Sequence, residues 1–180
     1  GRTPPCARAL IEARVAAVRY AVADPTPAAG GAEALRSAGI EADLDPGSGQ
    51  AEEFLMPWLV AATRGRPFVT VKMAATLDGY IAAADGTSQW ITGGPARQWV
   101  HGLRAEVDAV AVGSGTYRAD KPQLTVRGID VVRQPARYVL GDAEVAPGFH
   151  LIPGHDPQAA LAQMYTDGIR HLLLEGGATV

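Results

Sequence analysis

Two stretches decide the fold: AVAVGSGT at residues 109–116 and HLLLEGGAT at residues 171–179. Each is an apolar run typical of a buried strand, followed by a glycine-rich turn and a threonine. Glycine lets the backbone approach a ligand closely, and in an open α/β sheet such turns lie at the carboxyl ends of the strands, where ligands bind. The pair favours a site for a phosphate-bearing cofactor, and two tight turns without a ligand are the alternative. Neither stretch matches the G-x-G-x-x-G fingerprint of Rossmann folds.

The segments around these turns alternate between strand and helix patterns. Downstream of residue 65, the patterns predict strands over 66–75, 108–115, 136–142 and from 169, and helices over 93–107 and 157–168. This alternation is typical of an α/β domain with a mostly parallel sheet. The first part of the chain shows a separate α-β-α-β order, then a helix over 51–65 that Pro57 should kink or interrupt. We therefore predict two domains, residues 1–65 and 66–180.

Composition excludes several classes of protein. The chain has 180 residues and a formal net charge of −3, which gives no reason to expect nucleic acid or a membrane surface as a partner. No apolar run approaches the length of a transmembrane helix. The one cysteine, Cys6, excludes a disulfide framework and fits a reducing compartment, so we expect a cytoplasmic protein.

A basic stripe runs along the helix predicted over 93–107. Arg97, His101 and Arg104 follow one another at i, i+4 and i+7, and residues at that spacing share one face of a helix. Beside a glycine-rich ligand site, such a stripe would hold a phosphate, for which arginine offers two parallel hydrogen bonds. The alternative is a solvated face with surface ion pairs.

Three further residues are ambiguous from their local pattern. Asp120 precedes Lys-Pro and is predicted to lie in a turn, which it would cap unless it binds a ligand. Ser88 and Trp90 lie between two turns, where an aromatic ring packs beside a nicotinamide or pterin-like ring or else covers an edge of the core.

Together these pieces resemble one family, the bifunctional deaminase–reductases of riboflavin biosynthesis. The resemblance to the reductase domain lies in VKMAATLDGYIAAADGTSQWITG (71–93), in GLRAEVDAVAVGSGTYRADKPQLTVR (102–127) and in LLLEGGAT (172–179). Residues 1–25, GRTPPCARALIEARVAAVRYAVADP, resemble the later half of the deaminase domain. The family implies a partial cytidine-deaminase-like unit followed by a dihydrofolate-reductase-like domain. Since residue 1 falls inside a motif and residue 180 directly follows the last glycine turn, we expect a piece that is truncated at both ends.

The resemblance implies a role for Cys6 as a metal ligand. It matches the last of three zinc ligands in the family's deaminase, within G-[RK]-T-P-P-C, while the other two ligands and the general acid/base glutamate lie further upstream. One thiolate does not make a catalytic zinc site. We therefore expect zinc only in a full-length deaminase domain and no deamination by this chain.

For the second domain the resemblance implies an NADPH-dependent reductase. Its substrate is a phosphorylated aminopyrimidine, 5-amino-6-(5-phosphoribosylamino)uracil, whose ribosyl group becomes ribityl when hydride reaches C1 of the sugar. By motif position, the residues implied to contact NADPH are Ala74, Trp90, Thr116, Asp120, Gly177, Ala178, Thr179 and Val180. The residues implied to contact substrate are Ser88, Arg104, Leu124, Arg127 and Glu175. No catalytic residue is implied, and the family suggests a homo-oligomer for the full-length protein.

The chain departs from the family where L-A-D-D-P is usual. Here the segment is Arg118-Ala119-Asp120-Lys121-Pro122, which keeps the first aspartate and has lysine in place of the second, so the local charge differs. Two alternatives to the riboflavin reductase remain at this point. One is a stand-alone reductase of the same fold that acts on another pyrimidine or a pterin, and the other is a non-catalytic binding module.

Overall fold

The computed structural model describes residues 6–45, 47 and 49–177. The chain divides into two compact units, residues 1–64 and 65–180. Among the described residues, no helix combines the length and the hydropathy of a membrane span.

The first unit is a small α/β layer. Its elements are α1 (Cys6–Glu12), β1 (Ala17–Tyr20), α2 (Gly31–Ser37), β2 (Glu41–Leu44) and α3 (Gln50–Arg64). Strands β1 and β2 pair in parallel, and a core of Ala7, Leu35, Ile40 and Ala42 lies beside them. Pro57 lies inside α3, and the helix continues through it, so the proline does not interrupt the helix.

The second unit contains a five-stranded sheet in which every pair is parallel. Its elements are β3 (Phe68–Lys72), α4 (Gly94–Glu106), β4 (Ala109–Gly113), α5 (Ser114–Asp120), β5 (Ala136–Leu140), β6 (His150–Ile152), α6 (Pro157–Thr166) and β7 (His171–Glu175). The strand order is β3-β7-β4-β5-β6. The α/β class and the mostly parallel sheet expected from the sequence are confirmed.

Helices and loops cover both faces of this sheet. On β4, Val110 and Val112 belong to one core cluster, and Ala109 and Ala111 belong to another, because successive side chains of a strand point to opposite faces. All five residues of β4 are buried, which explains the continuous apolar run in the sequence. Since β4 and β7 are parallel neighbours, the glycine turns that follow them lie side by side at the carboxyl end of the sheet.

Two elements differ from the sequence prediction. Residues 114–120, including Asp120, form the short helix α5 rather than a turn, and Lys121 closes it in the left-handed region with φ 44°. The second is β6, which has three residues and pairs in parallel with β5 at the edge of the sheet.

Candidate active site

A cavity of about 410 Å³ lies at the carboxyl ends of β3, β7 and β4, and we call it the central cavity. The ends of β3 and β7, helix α5 and the loop that contains Trp90 all contribute to its lining. Eight of the residues implied by the family resemblance line it: Ala74, Ser88, Trp90, Thr116, Asp120, Leu124, Glu175 and Gly177.

A second space of about 430 Å³ adjoins the central cavity, and we call it the arginine-lined cavity. Its lining includes Arg97, Arg104 and Arg127, together with Trp90 and Glu175, which line the central cavity as well. Arg97, His101 and Arg104 all line it, so the basic stripe of α4 faces this space rather than open solvent. The two cavities together contain all the implied substrate residues and those implied cofactor residues that the structure describes.

Glu175 is the centre of a charged network between the cavities. Arg104 holds its carboxylate with two hydrogen bonds, Nε to Oε1 at 2.6 Å and Nη2 to Oε2 at 3.0 Å. The Nη1 group of Arg104 donates to the carbonyl of Thr125 at 3.0 Å. Both charged side chains are only 12% exposed. Since Arg104 is neutralised by Glu175, its first role in this structure is to orient that carboxylate.

Lys72 completes the network, and the sequence analysis did not single it out. It pairs in register with Glu175 on neighbouring parallel strands, so both side chains point to the same face of the sheet. Its Nζ lies 3.7 Å from Glu175 Oε2. A lysine at the end of a strand carries no motif, and only the strand register shows that it faces the site.

Arg127 is held differently from Arg104. Its guanidinium reaches Gln123 Oε1 at 3.5 Å, and it forms no ion pair with any carboxylate of the described residues. Its backbone N–H donates to Nδ1 of His101 at 3.2 Å. Arg127 therefore offers an exposed, uncompensated cation to an anionic group in the arginine-lined cavity.

The pKa of His101 is lowered, first because the ring is removed from water and then because Arg104 and Arg127 lie nearby. A neutral ring agrees with the hydrogen bond that Nδ1 accepts from Arg127. His101 therefore adds no positive charge to the arginine-lined cavity near neutral pH.

Trp90 lines both cavities and is 71% exposed. The guanidinium of Arg97 lies 4.4 Å from the centroid of its ring and also donates to the carbonyl of Thr92 at 2.5 Å. Arg97 thereby supports the indole from one side, and a planar ligand ring can use its remaining surface.

A third space of about 500 Å³, which we call the outer cavity, continues along the sheet edge beyond the central cavity. Gly115 and Thr116 line both. Its walls come from the ends of β4, β5 and β6 and from the start of α6. The glycine turn after β4 lines it through Gly113, Gly115 and Thr116, and of the residues implied by the family resemblance only Thr116 belongs to it.

Glycines shape these cavities in a way that suits an extended ligand. A Cβ at Gly141, where φ is +93°, would lie 3.0 Å from Ser114 Oγ, so the turns after β4 and β5 approach closely only with glycine there. Gly115 lines both the central and the outer cavity, and a Cβ there would meet no atom within 4 Å, so the space beside it is open.

The remaining implied residues lie elsewhere or are not described. Ala178, Thr179 and Val180 lie outside the described residues. Cys6 belongs to the first unit, where it is exposed at the start of α1. Among residues 6–45, 47 and 49–177, no group of three or more His, Cys, Asp or Glu side chains is arranged to hold a metal ion.

Residues 67–180 match the model of the family described as the RibD C-terminal domain. The chain belongs to the RibD C-terminal domain family.

Curated RibD proteins match the chain over both of its units. The chain is 44% identical to the riboflavin biosynthesis protein RibD of Corynebacterium ammoniagenes, over 99% of its own length and 57% of that protein. RibD of Mycobacterium tuberculosis is 43% identical over 100% of the chain and again 57% of the relative. The chain thus spans a little more than half the length of these curated relatives.

Solved RibD structures share its fold. Acinetobacter baumannii RibD superposes with a TM-score of 0.88 at 35% identity, over 99% of this chain and 60% of the other. A diaminohydroxyphosphoribosylaminopyrimidine deaminase/5-amino-6-(5-phosphoribosylamino)uracil reductase of Thermotoga maritima gives 0.85 at 32% identity, over 99% and 58%. The chain therefore shares the fold of these RibD proteins over almost its whole length.

Proposed function

We propose that residues 65–180 reduce 5-amino-6-(5-phosphoribosylamino)uracil with NADPH, converting its ribosyl group to ribityl. The observation that carries this proposal is that two cavities share Lys72, Trp90 and Glu175 in their linings, and that the second of them also contains Arg104, which pairs with Glu175, and the cation of Arg127, which is unpaired among the described residues. The family membership of the chain and the printed activity of the Thermotoga maritima relative support it.

The substrate is placed by two groups of opposite charge. Arg127 binds the 5-phosphate, because a free guanidinium forms charge-assisted, two-pronged hydrogen bonds with a phosphate. Glu175, held rigid by Arg104, accepts hydrogen bonds from ribosyl hydroxyls or from the pyrimidine. Arg104 contributes mainly by fixing that carboxylate, although the N–H groups that it does not use for Glu175 and Thr125 remain available to substrate.

The residues that would hold NADPH line the central cavity and, through Gly115 and Thr116, the outer cavity as well. In the central cavity these residues are Trp90, Thr116, Asp120 and Gly177. When bound, NADPH supplies the hydride that reaches C1 of the sugar. The bond between C1 and the ring oxygen breaks, and that oxygen takes up a proton. Lys72 contributes an ammonium group to the lining of the central cavity. It is our candidate for the donor of the proton that the ring oxygen takes up.

Other features of the proposal come from the family resemblance alone. They are a zinc-dependent deaminase activity in a full-length protein, with Cys6 as one zinc ligand, a homo-oligomeric assembly and a cytoplasmic location. The first unit, residues 1–64, is assigned on the same ground to the later part of a deaminase domain.

Substrate competition tests the proposal in the full-length protein. NADPH consumption is measured with the phosphorylated aminopyrimidine, with its dephosphorylated form and with a dihydropterin. Rapid turnover of the phosphorylated compound alone is expected. Preference for the pterin would favour a reductase of another ligand, and binding without turnover of any of the three would favour a non-catalytic module.

A further inference from the structure

The lining of the outer cavity combines apolar and basic side chains. Leu140, Ile152 and Ala160 are among the apolar residues, and Arg118 and His155 are the basic ones. Apolar side chains suit a flat heterocycle, and a guanidinium suits an anionic substituent on its sugar. This reasoning rests on the proposed function, because that function leads an extended nicotinamide cofactor from the central cavity into this space.

Arg118 is the cation of the outer cavity that is charged at every physiological pH. Its Nη1 donates to the carbonyl of Asp142 at 2.7 Å, which anchors the guanidinium between α5 and the end of β5. Among the described residues it forms no ion pair. One of its five N–H groups serves that carbonyl, so the others are available to a ligand anion.

One carboxylate of the outer cavity caps a helix and does not pair with Arg118. Asp156 lines the same cavity, but its Oδ1 accepts hydrogen bonds from the N–H groups of Gln158 at 2.8 Å and Ala159 at 3.2 Å, where it caps α6. Arg118 thus differs from Arg104, which a carboxylate neutralises, and from Arg133, which pairs with Asp108.

We propose that Arg118, assisted by His155, recognises the phosphate on the adenosine ribose of NADPH and so makes the protein select NADPH over NADH. The two cofactors differ only in that phosphate group. The Arg118 guanidinium lines the outer cavity and pairs with no carboxylate of the described residues. It can therefore form a charge-assisted hydrogen bond that only the phosphorylated cofactor can use.

The test is a binding titration of the full-length protein with NADPH and with NADH, followed by calorimetry and by nicotinamide fluorescence. In Arg118→Met, which keeps the aliphatic stem, the NADPH dissociation constant should rise about tenfold or more, and the NADH constant should stay within roughly twofold. Arg118→Lys should restore part of the preference. Arg64→Met, which removes a cation from the first unit, should leave both constants unchanged.

The comparison of NADPH with NADH distinguishes a failure of this inference from a failure of the proposed function. If the wild type binds NADPH and Arg118→Met leaves the ratio of the two constants unchanged, or weakens both equally, the selectivity role is wrong while the reductase assignment stands. If the wild type binds neither cofactor, the proposed function and this inference fail together. Titration with adenosine 2′,5′-bisphosphate and with AMP should reproduce the NADPH and NADH results, because those compounds carry only the adenosine end.

Discussion

At the scale of single residues, two arginines of the same site have different environments. Arg104 is 12% exposed and bound to Glu175, whereas Arg127 is exposed and pairs with no carboxylate of the described residues. The sequence presents both as equal candidates for a phosphate. It cannot show the pairing, because Glu175 is 71 residues away from Arg104 along the chain.

Replacement of Arg127 should therefore act on substrate and spare the cofactor. We expect Arg127→Ala to raise the substrate KM on the order of tenfold to a hundredfold, since a charge-assisted contact contributes about 1.5–3 kcal/mol. The NADPH KM should hardly change. Steady-state kinetics with the dephosphorylated substrate is the control, and an equal loss with that compound would show that Arg127 does not contact the phosphate.

Cys6 provides a second test at this scale. A single exposed thiolate lacks the ligand set of a zinc site, so the 180-residue chain and its Cys6→Ala variant should retain the same trace of zinc after dialysis. Metal analysis of both proteins measures this. Stoichiometric zinc that disappears with the cysteine would reveal ligands outside the described residues.

At the scale of elements, the long and strongly patterned segments could be predicted and the short ones could not. The continuous apolar run of β4 and the amphipathic pattern of α4 both correspond to real elements. By contrast, β6 has only three residues, of which His150 and Leu151 are exposed, so no alternation marks it. Helix α5 begins with Ser114 and Gly115, which are poor helix formers, and the fold rather than local propensity decides its conformation.

The same limit applies to the site. The glycine turns after β4 and β7 predict its position, because parallel strands bring their carboxyl ends together. The place of Lys72 in the site depends on strand register, and the rest of the outer cavity depends on the segments after β5 and β6, which carry no motif.

Helix α6 owes its start to one side chain at the edge of the outer cavity. Asp156→Ala should lower the free energy of unfolding by about 1 kcal/mol, because two backbone N–H groups lose their acceptor. Asp156→Asn keeps a capping oxygen and should retain most of the stability. Urea unfolding of both variants measures the difference, and equal destabilisation by the two would mean that the negative charge matters rather than the cap.

At the scale of the whole molecule, two histidines link stability to pH. Removal from water lowers the pKa of His171, although Asp108 and Glu106 oppose this, and His101 is lowered by burial and by its arginine neighbours. The folded protein therefore binds fewer protons than the unfolded chain just below pH 6.5, the usual pKa of histidine. It follows that the free energy of unfolding must fall as the pH drops from 6.5 towards the lowered pKa values.

NMR titration of the four histidines measures this directly. The ring signals of His101 and His171 should titrate below 6.5, and urea midpoints should decrease over the same range. Replacement of His171 by glutamine should flatten part of that decrease. Normal or raised pKa values for both rings would contradict the burial and the charge environment described here.

The central claim is that the central cavity brings a nicotinamide cofactor and a phosphorylated ribosylaminopyrimidine together for hydride transfer. The most direct measurement is a single turnover of the full-length protein with NADPH that carries deuterium at the transferable position, followed by NMR and mass analysis of the product. We predict a ribityl product with one deuterium at C1, and almost no product from a Lys72→Met, Glu175→Gln double variant. An unlabelled C1, or unchanged turnover by that variant, would contradict the account.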